Sequence, residues 1–300
     1  MKKAITIICL LLYVHVYVHA QQNTGEITVD GRSRSFVVYI PGPVNTTQKL
    51  PVLISLHGRL GTSKQMMGFA DFRPIADREK FIIVCPDGID RSWNAGGKTP
   101  ANRKGVNDVK FIDELITYII NTYNGDAKRV YVAGMSNGGF MASRLACELS
   151  NRIAAIAAVG ASMSKNMGYQ PGKPMPVMYI QGTGDPLVPF AGGPMKKGAR
   201  YEIYGHEDVL KLWVAADICY HEPVITHIPD NAGDGTSITK EEYTNKIGVK
   251  VIGYTIDNGG HTWPGGTQYL PKMIIGSVSH NLNGCEAIWD FFKNYKLADN

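Results

Sequence analysis

Hydrophobic positions along the chain follow two periods, and the changes between them predict the secondary structure. Short, continuous apolar runs bounded by turn residues predict strands buried on both faces; they cover residues 51–56, 81–85, 128–133, 153–159 and 176–181. Apolar residues at helical spacing predict helices over residues 107–121, 141–149, 206–218 and from 283 onward. Because strands alternate with helices, the predicted fold class is α/β, with a mostly parallel central sheet and helices on both faces.

The pattern also predicts elements outside this alternation. Residues 25–30 and 33–40 alternate apolar with polar side chains around Asp30-Gly31, which is typical of a hairpin. Residues 69–79 are predicted as a helix whose start Pro74 can delay, and residues 90–104 as a loop rich in Gly, Asn and Pro. Further strands are predicted over residues 224–229, 237–244 and 249–256.

The first twenty residues are predicted to be a secretory signal. Lys2 and Lys3 supply its charged start, residues 4–18 are mostly apolar, and Val18-His19-Ala20 offers small residues for cleavage before Gln21. A membrane anchor is disfavoured, because the apolar run is shorter than the ~20 residues of a spanning helix. Residues 21–300 are then predicted to form one domain, secreted or periplasmic, without stable membrane insertion.

Charge and cysteine content exclude several classes of partner. The formal net charge is +5, and removal of Lys2 and Lys3 leaves +3, too little to indicate a nucleic-acid partner. No His/Cys cluster has zinc spacing and no glycine-rich phosphate loop occurs, so no metal or other cofactor is predicted. In an exported protein, the four cysteines after the signal permit one or two disulfides, although Cys85 in a buried strand is also a candidate free thiol. These cysteines are Cys85, Cys147, Cys219 and Cys285.

The clearest candidate for chemistry is a serine between a predicted strand and a predicted helix. A β-branched and aromatic run ends in Gly134-Met135-Ser136-Asn137-Gly138, and a helix-competent run follows. That context is typical of a nucleophile elbow, in which a strained turn exposes the serine hydroxyl. The glycines fit because a Cβ would collide where the strand and the helix pass closely. Ser136 is therefore the candidate nucleophile, and the alternative is a glycine-rich turn with no catalytic role.

A serine hydroxyl needs a base to take its proton and a carboxylate to orient that base. In open parallel sheets, functional groups gather at the carboxyl ends of the strands. Asp185 comes shortly after the predicted strand 176–181, and His261 shortly after 249–256. The order Ser136, Asp185, His261 matches the order of the triad in this fold class, so these residues are the predicted nucleophile, acid and base.

An acyl-transfer serine also needs N–H donors for the oxyanion. The predicted donors are the backbone amides of Asn137 and Arg59, with the Leu60 amide as the reserve choice. His57 and Leu60 stand beside the predicted site and are candidate substrate contacts, although the His57 side chain is favoured as a group that shapes its loop. Trp93 and Trp263 lie on loops near the site, where substrate contact and simple anchoring of the loop stay open as alternatives.

Eight short motifs occur in an order that resembles a known family. They are His57-Gly58…Gly61, Pro86-Asp87-Gly88, Ser92-Trp93-Asn94-Ala95-Gly96, Asp108-Val109…Phe111-Ile112, Gly134-Met135-Ser136-Asn137-Gly138-Gly139, Gly182-Thr183-Gly184-Asp185, Gly260-His261-Thr262-Trp263-Pro264-Gly265 and Ile288-Trp289-Asp290-Phe291-Phe292. Together they resemble the secreted feruloyl esterase and polyhydroxybutyrate depolymerase-like family of α/β-hydrolases, over nearly the whole chain after the signal. The chain departs from the family at Arg59-Leu60 and Lys98-Thr99-Pro100, where members often carry cysteines or small residues.

The resemblance implies a serine carboxylester hydrolase with Ser136, Asp185 and His261 as its triad. It further implies a feruloyl or related hydroxycinnamoyl ester on plant cell-wall polysaccharide as the substrate. An acetyl ester of xylan is the nearest alternative, and a short-chain polyester is the next. A catalytically silent binding protein on the same fold is the alternative of a different class, and a peptidase is a third, because the same triad cleaves amides.

Overall fold

The computed structural model describes residues 20–44, 47–165, 167–195 and 201–298. Of the predicted signal at residues 1–20, all but Ala20 lies outside these ranges. Gln21, the first residue after the predicted cleavage point, begins a strand. Among the described residues, no helix combines the length and the apolar character that crossing a membrane requires.

A sheet of ten strands forms the centre of the molecule, and two further short strands pair with each other. In chain order the strands are β1 (Gln21–Val29), β2 (Arg32–Ile40), β3 (Leu50–Leu56), β4 (Ile82–Pro86), β5 (Gly125–Met135), β6 (Ala155–Val159), β7 (Val177–Gly182), β8 (Gly193–Pro194), β9 (Glu202–Ile203), β10 (Val224–Ile228), β11 (Ser237–Thr244) and β12 (Lys250–Asp257). The order across the sheet is β1-β2-β4-β3-β5-β6-β7-β12-β11-β10. From β4 to β12 the neighbours are parallel, and antiparallel strands extend both edges. The predicted α/β class is confirmed, and the fold is that of the α/β-hydrolases.

Helices cover both faces of this sheet. They are α1 (Ser63–Phe69), α2 (Arg73–Glu79), α3 (Pro100–Arg103), α4 (Asp108–Tyr123), α5 (Asn137–Glu148), α6 (His206–Ala216), α7 (Lys272–Ile275) and α8 (Gly284–Phe292). Apolar residues of α4, α5 and α6 pack with one face of the sheet, and those of α1, α2 and α8 with the other. Strand β3 shows the alternation, because Ile54 and Leu56 face the first group of helices while Leu53 faces the second. Each such side chain contributes roughly 1.5–3 kcal/mol by leaving water.

Several local predictions hold, and the one for residues 69–79 holds in part. Asp30 and Gly31 both have positive φ in the turn between β1 and β2, as a two-residue hairpin requires. The helix predicted over 69–79 starts late, as α2, and Phe69 instead ends α1, a helix that the pattern did not predict. The Thr62 side chain caps α1, and Pro74 lies in the first turn of α2, where proline starts a helix rather than continuing one.

The disulfides that the four cysteines permitted are absent from the described part of the chain, where all four thiols are free. Cys147 and Cys219 lie on the side of the sheet covered by α4, α5 and α6, whereas Cys85 and Cys285 lie on the opposite side. The sheet therefore separates one pair from the other. Burial raises the pKa of the Cys219 thiol to about 11, so it stays protonated at neutral pH.

Candidate active site

Ser136 lies on the sharp turn between β5 and α5, in a backbone conformation with φ 54° and ψ −121°. This region favours glycine, and a side chain there costs about 1–3 kcal/mol, which surrounding structure must offset. Part of the offset is visible, because the Ser136 amide donates to the Val159 carbonyl oxygen at 2.8 Å. A Cβ at Gly134 would lie 2.3 Å from the Gly138 carbonyl oxygen, and one at Gly138 would lie 2.3 Å from that of Leu56. Both glycines are therefore required where the strand, the turn and the helix meet.

Asp185 and His261 form a buried pair at the ends of two adjacent strands. Asp185 follows β7 and His261 follows β12, which are parallel neighbours in the sheet. The Asp185 Oδ2 atom lies 2.7 Å from His261 Nδ1, and Oδ1 accepts the amides of Leu187 and Val188, both at 2.8 Å. Because an ionised carboxylate only accepts hydrogen bonds, Nδ1 carries the hydrogen. That tautomer leaves the His261 Nε2 atom free to take a proton.

A glycine lets the imidazole of His261 reach across the sheet towards the serine. Gly160 directly follows β6, the strand between β5 and β7, and has φ 54°. A Cβ there would lie 3.2 Å from His261 Nδ1 and 3.2 Å from the Met135 Cε atom. Ser136 and His261 line one cavity of about 830 Å³. The structure thus brings the three predicted triad residues to one edge of the sheet.

The two predicted oxyanion donors, Arg59 and Asn137, line the same cavity as Ser136. Asn137 begins α5, where the amides of the first turn have no intrahelical acceptor. The loop after β3 passes close to the serine, because a Cβ at Gly58 would lie 3.4 Å from the Ser136 Cβ atom. Among the described residues, the amide of Arg59 has no acceptor, whereas the amide of Leu60, the reserve choice, donates to the Arg91 carbonyl oxygen at 2.8 Å. The geometry therefore favours Arg59 over Leu60.

The side chain of Asn137 is held by a neighbouring loop. Its Oδ1 atom accepts the Trp93 amide at 2.7 Å, and its Nδ2 atom donates to the Trp93 carbonyl oxygen at 3.2 Å. The next amide, of Asn94, donates to Asp108 Oδ2 at 2.7 Å, while Asp108 Oδ1 is 2.7 Å from an Arg34 nitrogen in a fully buried ion pair. This chain of contacts fixes the start of α5, where the candidate oxyanion amide lies.

His57 is held in its loop by hydrogen bonds of both ring nitrogens. Nε2 accepts the Gly88 amide at 3.0 Å, which leaves the hydrogen on Nδ1, and Nδ1 donates to the Gly58 carbonyl oxygen at 2.7 Å. Burial lowers the pKa of His57, so the neutral ring that this arrangement needs is also the favoured form. The imidazole is 1% exposed with both nitrogens engaged, which supports the loop-shaping role that the sequence favoured. His57 also lines the cavity beside Ser136, so its role as a substrate contact stays a prediction.

For Trp93 and Trp263 the structure favours loop anchoring over substrate contact, because both indoles lie inside the protein. Trp93 is completely buried, and its Nε1 atom donates to the His57 carbonyl oxygen at 2.8 Å. Trp263 is 1% exposed and packs edge-on against Phe69 and Phe72. Neither residue is among those that line the cavity. Both tryptophans thus fit the alternative in which they anchor their loops.

Other aromatic residues line the cavity, and no pattern in the sequence indicated them. In one pair, Phe69 and Tyr269 meet edge-to-face with ring centroids 5.3 Å apart, and the Tyr269 hydroxyl donates to the His261 carbonyl oxygen at 2.9 Å. In a second pair, Phe140 and Tyr201 meet edge-to-face with ring centroids 6.5 Å apart. Leu60 lines the cavity too and is 63% exposed, so its placement as a possible substrate contact agrees with the geometry.

No metal is needed to explain this site. Within the described ranges, no group of three or more His, Cys, Asp or Glu side chains could hold a metal ion. A second cavity, of about 640 Å³, lies beside β11, β12 and α8. Its charged side chains have partners, since Glu242 pairs with Lys240 at 2.7 Å and with Lys250 at 2.5 Å, while Glu286 pairs with Arg78 and Asp290 with Lys293. Of the two cavities, the one beside Ser136 is the better suited to chemistry, because it holds Ser136 and His261.

Comparison with known proteins agrees with this arrangement. A family model described as esterase PHB depolymerase matches residues 34–188, a range that includes Ser136 and Asp185 and ends before His261. NocK of Nocardia uniformis subsp. tsuyamanensis, described as an esterase, is 30% identical over 91% of this chain and 83% of its own length. Feruloyl esterase B of Piromyces equi is 28% identical over 88% of this chain, which spans 46% of that protein.

The solved structures add support for the fold. An acetyl xylan esterase from Aspergillus awamori superposes with a TM-score of 0.58 at 14% sequence identity. The match covers 90% of this chain and 99% of that enzyme. At such low identity the likeness concerns the fold alone.

Proposed function

The chain belongs to the esterase PHB depolymerase family, which makes it a carboxylic ester hydrolase, and from this premise we propose a mechanism through Ser136, His261 and Asp185. The observation that carries the proposal is the buried Asp185–His261 pair at 2.7 Å, whose histidine lines one cavity with a strained serine. Backbone strain of this kind clusters at functional sites, so the strain at Ser136 beside a paired acid and base argues against a catalytically silent protein. A peptidase finds no specific support in the cavity.

Hydrolysis proceeds in two halves. The Ser136 Oγ atom attacks the ester carbonyl carbon while His261 Nε2 takes the hydroxyl proton, and Asp185 stabilises the imidazolium. The amides of Asn137 and Arg59 hold the oxyanion, and the alcohol leaves with the proton from His261. Water then attacks the acyl-enzyme by the reverse proton path, which releases the acid and restores Ser136.

The proposed substrate is a feruloyl or related hydroxycinnamoyl ester on plant cell-wall polysaccharide. The support is the wall of Phe69, Tyr269 and Leu270, which offers an aromatic acyl group both apolar area and ring edges. The volume of about 830 Å³ also exceeds what an acetyl group needs. Relatives include proteins named feruloyl esterase and others named acetylxylan esterase, so acetyl transfer from xylan is the alternative to test first.

Parallel hydrolysis of methyl ferulate, acetylated xylan and 4-nitrophenyl butyrate tests the proposal. Ser136→Ala should lower kcat by at least about a thousandfold on every ester that the wild type cleaves. The exposed Ser33→Ala serves as the matched control and should keep its activity. Near wild-type activity of Ser136→Ala would refute the mechanism, and a preference for acetylated xylan would replace the hydroxycinnamoyl substrate while leaving the mechanism in place.

We also propose that the protein is exported and acts as one domain from Gln21 onward. The support is the charged, apolar and small-residue pattern of residues 1–20, together with the position of Gln21 at the start of β1. Mass spectrometry of the protein secreted by its host should find Gln21 as the first residue. A protein that stays inside the cells with residues 1–20 intact would contradict this proposal.

A further inference from the structure

The charged side chains that line the active-site cavity are all basic in the described part of the chain. Arg59 and Lys98 line it together with the two histidines already discussed, and no Asp or Glu does. The carboxylate of Asp185 does not line the cavity. Its two oxygens accept hydrogen bonds from His261 Nδ1 and from the amides of Leu187 and Val188. The cavity therefore presents positive charge that no lining carboxylate neutralises.

Neither basic side chain is occupied elsewhere in the protein. Both residues are exposed, and within the described ranges neither Arg59 nor Lys98 forms an ion pair. For comparison, the nearby Lys104 pairs with Asp90 at 2.6 Å. Less water separates a cation from its ligand in a partly enclosed cavity than on an open surface. The electrostatic attraction between the two is therefore stronger in the cavity.

The two cations and Tyr201 form one set of residues that line the cavity. Gly97, which precedes Lys98, packs so closely on the Tyr201 ring that a Cβ at Gly97 would lie 1.9 Å from the ring atom Cε1. Arg59 approaches the Tyr201 hydroxyl closely enough for its charge to lower the pKa of that group, although burial, the larger effect, raises it to about 12. The phenol is therefore neutral at physiological pH and can donate a hydrogen bond.

A second set of lining residues, Phe69, Tyr269 and Leu270, carries no formal charge. An ester has two halves, and Ser136 lines the same cavity as both sets of residues. The apolar set therefore suits the acyl group, and the basic set suits the alcohol that leaves. Hydrolysis of a neutral ester does not require two unpaired cations, whereas a substrate with a carboxylate on its alcohol half would use both.

We propose that the enzyme selects esters whose alcohol half carries a carboxylate, such as a sugar chain with a hexuronate residue, and that Arg59, Lys98 and Tyr201 bind that carboxylate. The proposal rests on the proposed function, because it assigns the two sets of lining residues to the two halves of the ester that Ser136 cleaves. In this proposal Arg59 contributes two groups: its backbone amide binds the oxyanion, and its guanidinium binds the carboxylate of the substrate. A carboxylate on the acyl half is the other possible source of the same chemistry.

Two matched substrate pairs distinguish these sources. The first pair is a feruloylated or acetylated xylo-oligosaccharide with and without a hexuronate branch, which places the charge on the alcohol half. The second is 4-nitrophenyl hemisuccinate against 4-nitrophenyl butyrate, which places it on the acyl half. The quantity compared is the ratio of kcat/KM for the charged ester to that for the neutral one, so changes common to both esters cancel.

Lys98→Gln and Arg59→Gln should each lower the ratio for the first pair by roughly threefold, mainly through KM, and together by roughly tenfold. Lys98→Arg should retain the ratio, and 0.5 M salt should lower it in the wild type. The matched control is Lys64→Gln, which removes an exposed lysine of α1 outside the cavity lining and should leave the ratio unchanged.

A wild-type ratio near one for both pairs, with neutral esters hydrolysed, would overturn the carboxylate site and leave the proposed function standing. Selectivity confined to the hemisuccinate pair would overturn the assignment to the alcohol half. A wild type that hydrolyses none of the four esters would contradict the proposed function itself.

Discussion

Asp217 closes helix α6 with a carboxylate that is completely buried. Its Oδ1 atom accepts the Met175 amide at 3.0 Å, and its Oδ2 atom has no partner among the described residues. Burial raises the pKa of Asp217 to about 7, because the ionised form would lie out of water at the negative end of a helix. The nearby Cys219 thiol is neutral in the same pH range and cannot compensate a negative charge.

Through this raised pKa, Asp217 makes a contribution to the free energy of unfolding that falls as the pH rises. The unfolded chain ionises Asp217 near pH 3.8, whereas the folded chain keeps the proton until about pH 7. Between these values the unfolded state alone releases a proton and gains free energy, so the cost builds up over about 3 pH units and levels off above pH 7. At 1.36 kcal/mol per unit, the full cost is about 4 kcal/mol.

Asp217→Asn should remove this dependence on pH. The amide oxygen can still accept from the Met175 amide, while the new NH₂ group lies buried without an acceptor, at a cost of about 1–3 kcal/mol. We therefore expect the variant to be less stable than wild type at pH 4.5 and more stable by about 1–3 kcal/mol at pH 8. Urea denaturation followed by circular dichroism at pH 4.5, 6 and 8 measures both free energies of unfolding.

The control for this experiment is Asp208→Asn, an exposed carboxylate in the first turn of the same helix. It should lower the free energy of unfolding by less than about 1 kcal/mol. A difference between Asp217→Asn and wild type that stays constant from pH 4.5 to pH 8 would refute the reasoning, because it would mean that the folded state ionises Asp217 as easily as the unfolded state does.

Three further predictions concern buried groups. Gly138→Ala should cost at least about 3 kcal/mol of unfolding free energy and most of the esterase activity, since its Cβ would lie 2.3 Å from the Leu56 carbonyl oxygen. Asp108→Asn should cost about 3–5 kcal/mol by leaving the Arg34 charge buried, and Arg34→Met in the same chain should recover part of it in a double-mutant cycle. His206, whose pKa burial lowers from 6.5 to about 4, destabilises the fold as the pH falls through this range; His206→Phe should therefore raise Tm more at pH 4.5 than at pH 8. Equal Tm shifts at both pH values, or an Arg34→Met change that only adds to the loss, would contradict the corresponding account.

The sequence predicted those parts of the site that depend on local chain geometry. A strand, a glycine-flanked serine and a helix are neighbours in sequence, so their turn at Ser136 could be inferred without tertiary contacts. Asp185 and His261 are 76 positions apart, yet each directly follows a strand, and the parallel sheet brings the ends of those strands together. Their distance and burial agree with the predicted roles, while the roles themselves stay predictions until the variants are measured.

The predictions that failed concern the direction in which a side chain points. Trp93 and Trp263 lie on loops, and no periodicity in a loop indicates whether a ring points to substrate or into the core. The contact that decides for Trp93 is with the His57 carbonyl oxygen, 36 positions away. Helix α1 was missed for a different reason, because seven residues with a glycine among them are too few to show a helical period. No pattern in the sequence around Tyr269 indicated that this residue would line the cavity.

The cavity thus combines two kinds of residue with different constraints. Those that hold the reacting groups, such as His57 and the side chain of Asn137, are buried and use their polar atoms on neighbouring loops. Those at the rim, such as Leu60, Arg59 and Lys98, are exposed and have no packing role that fixes their identity. Substitution of the first kind should therefore lower stability and activity together. Substitution of the second kind should change which ester is cleaved at little cost in stability, so substrate preference can diverge among relatives that share one catalytic arrangement.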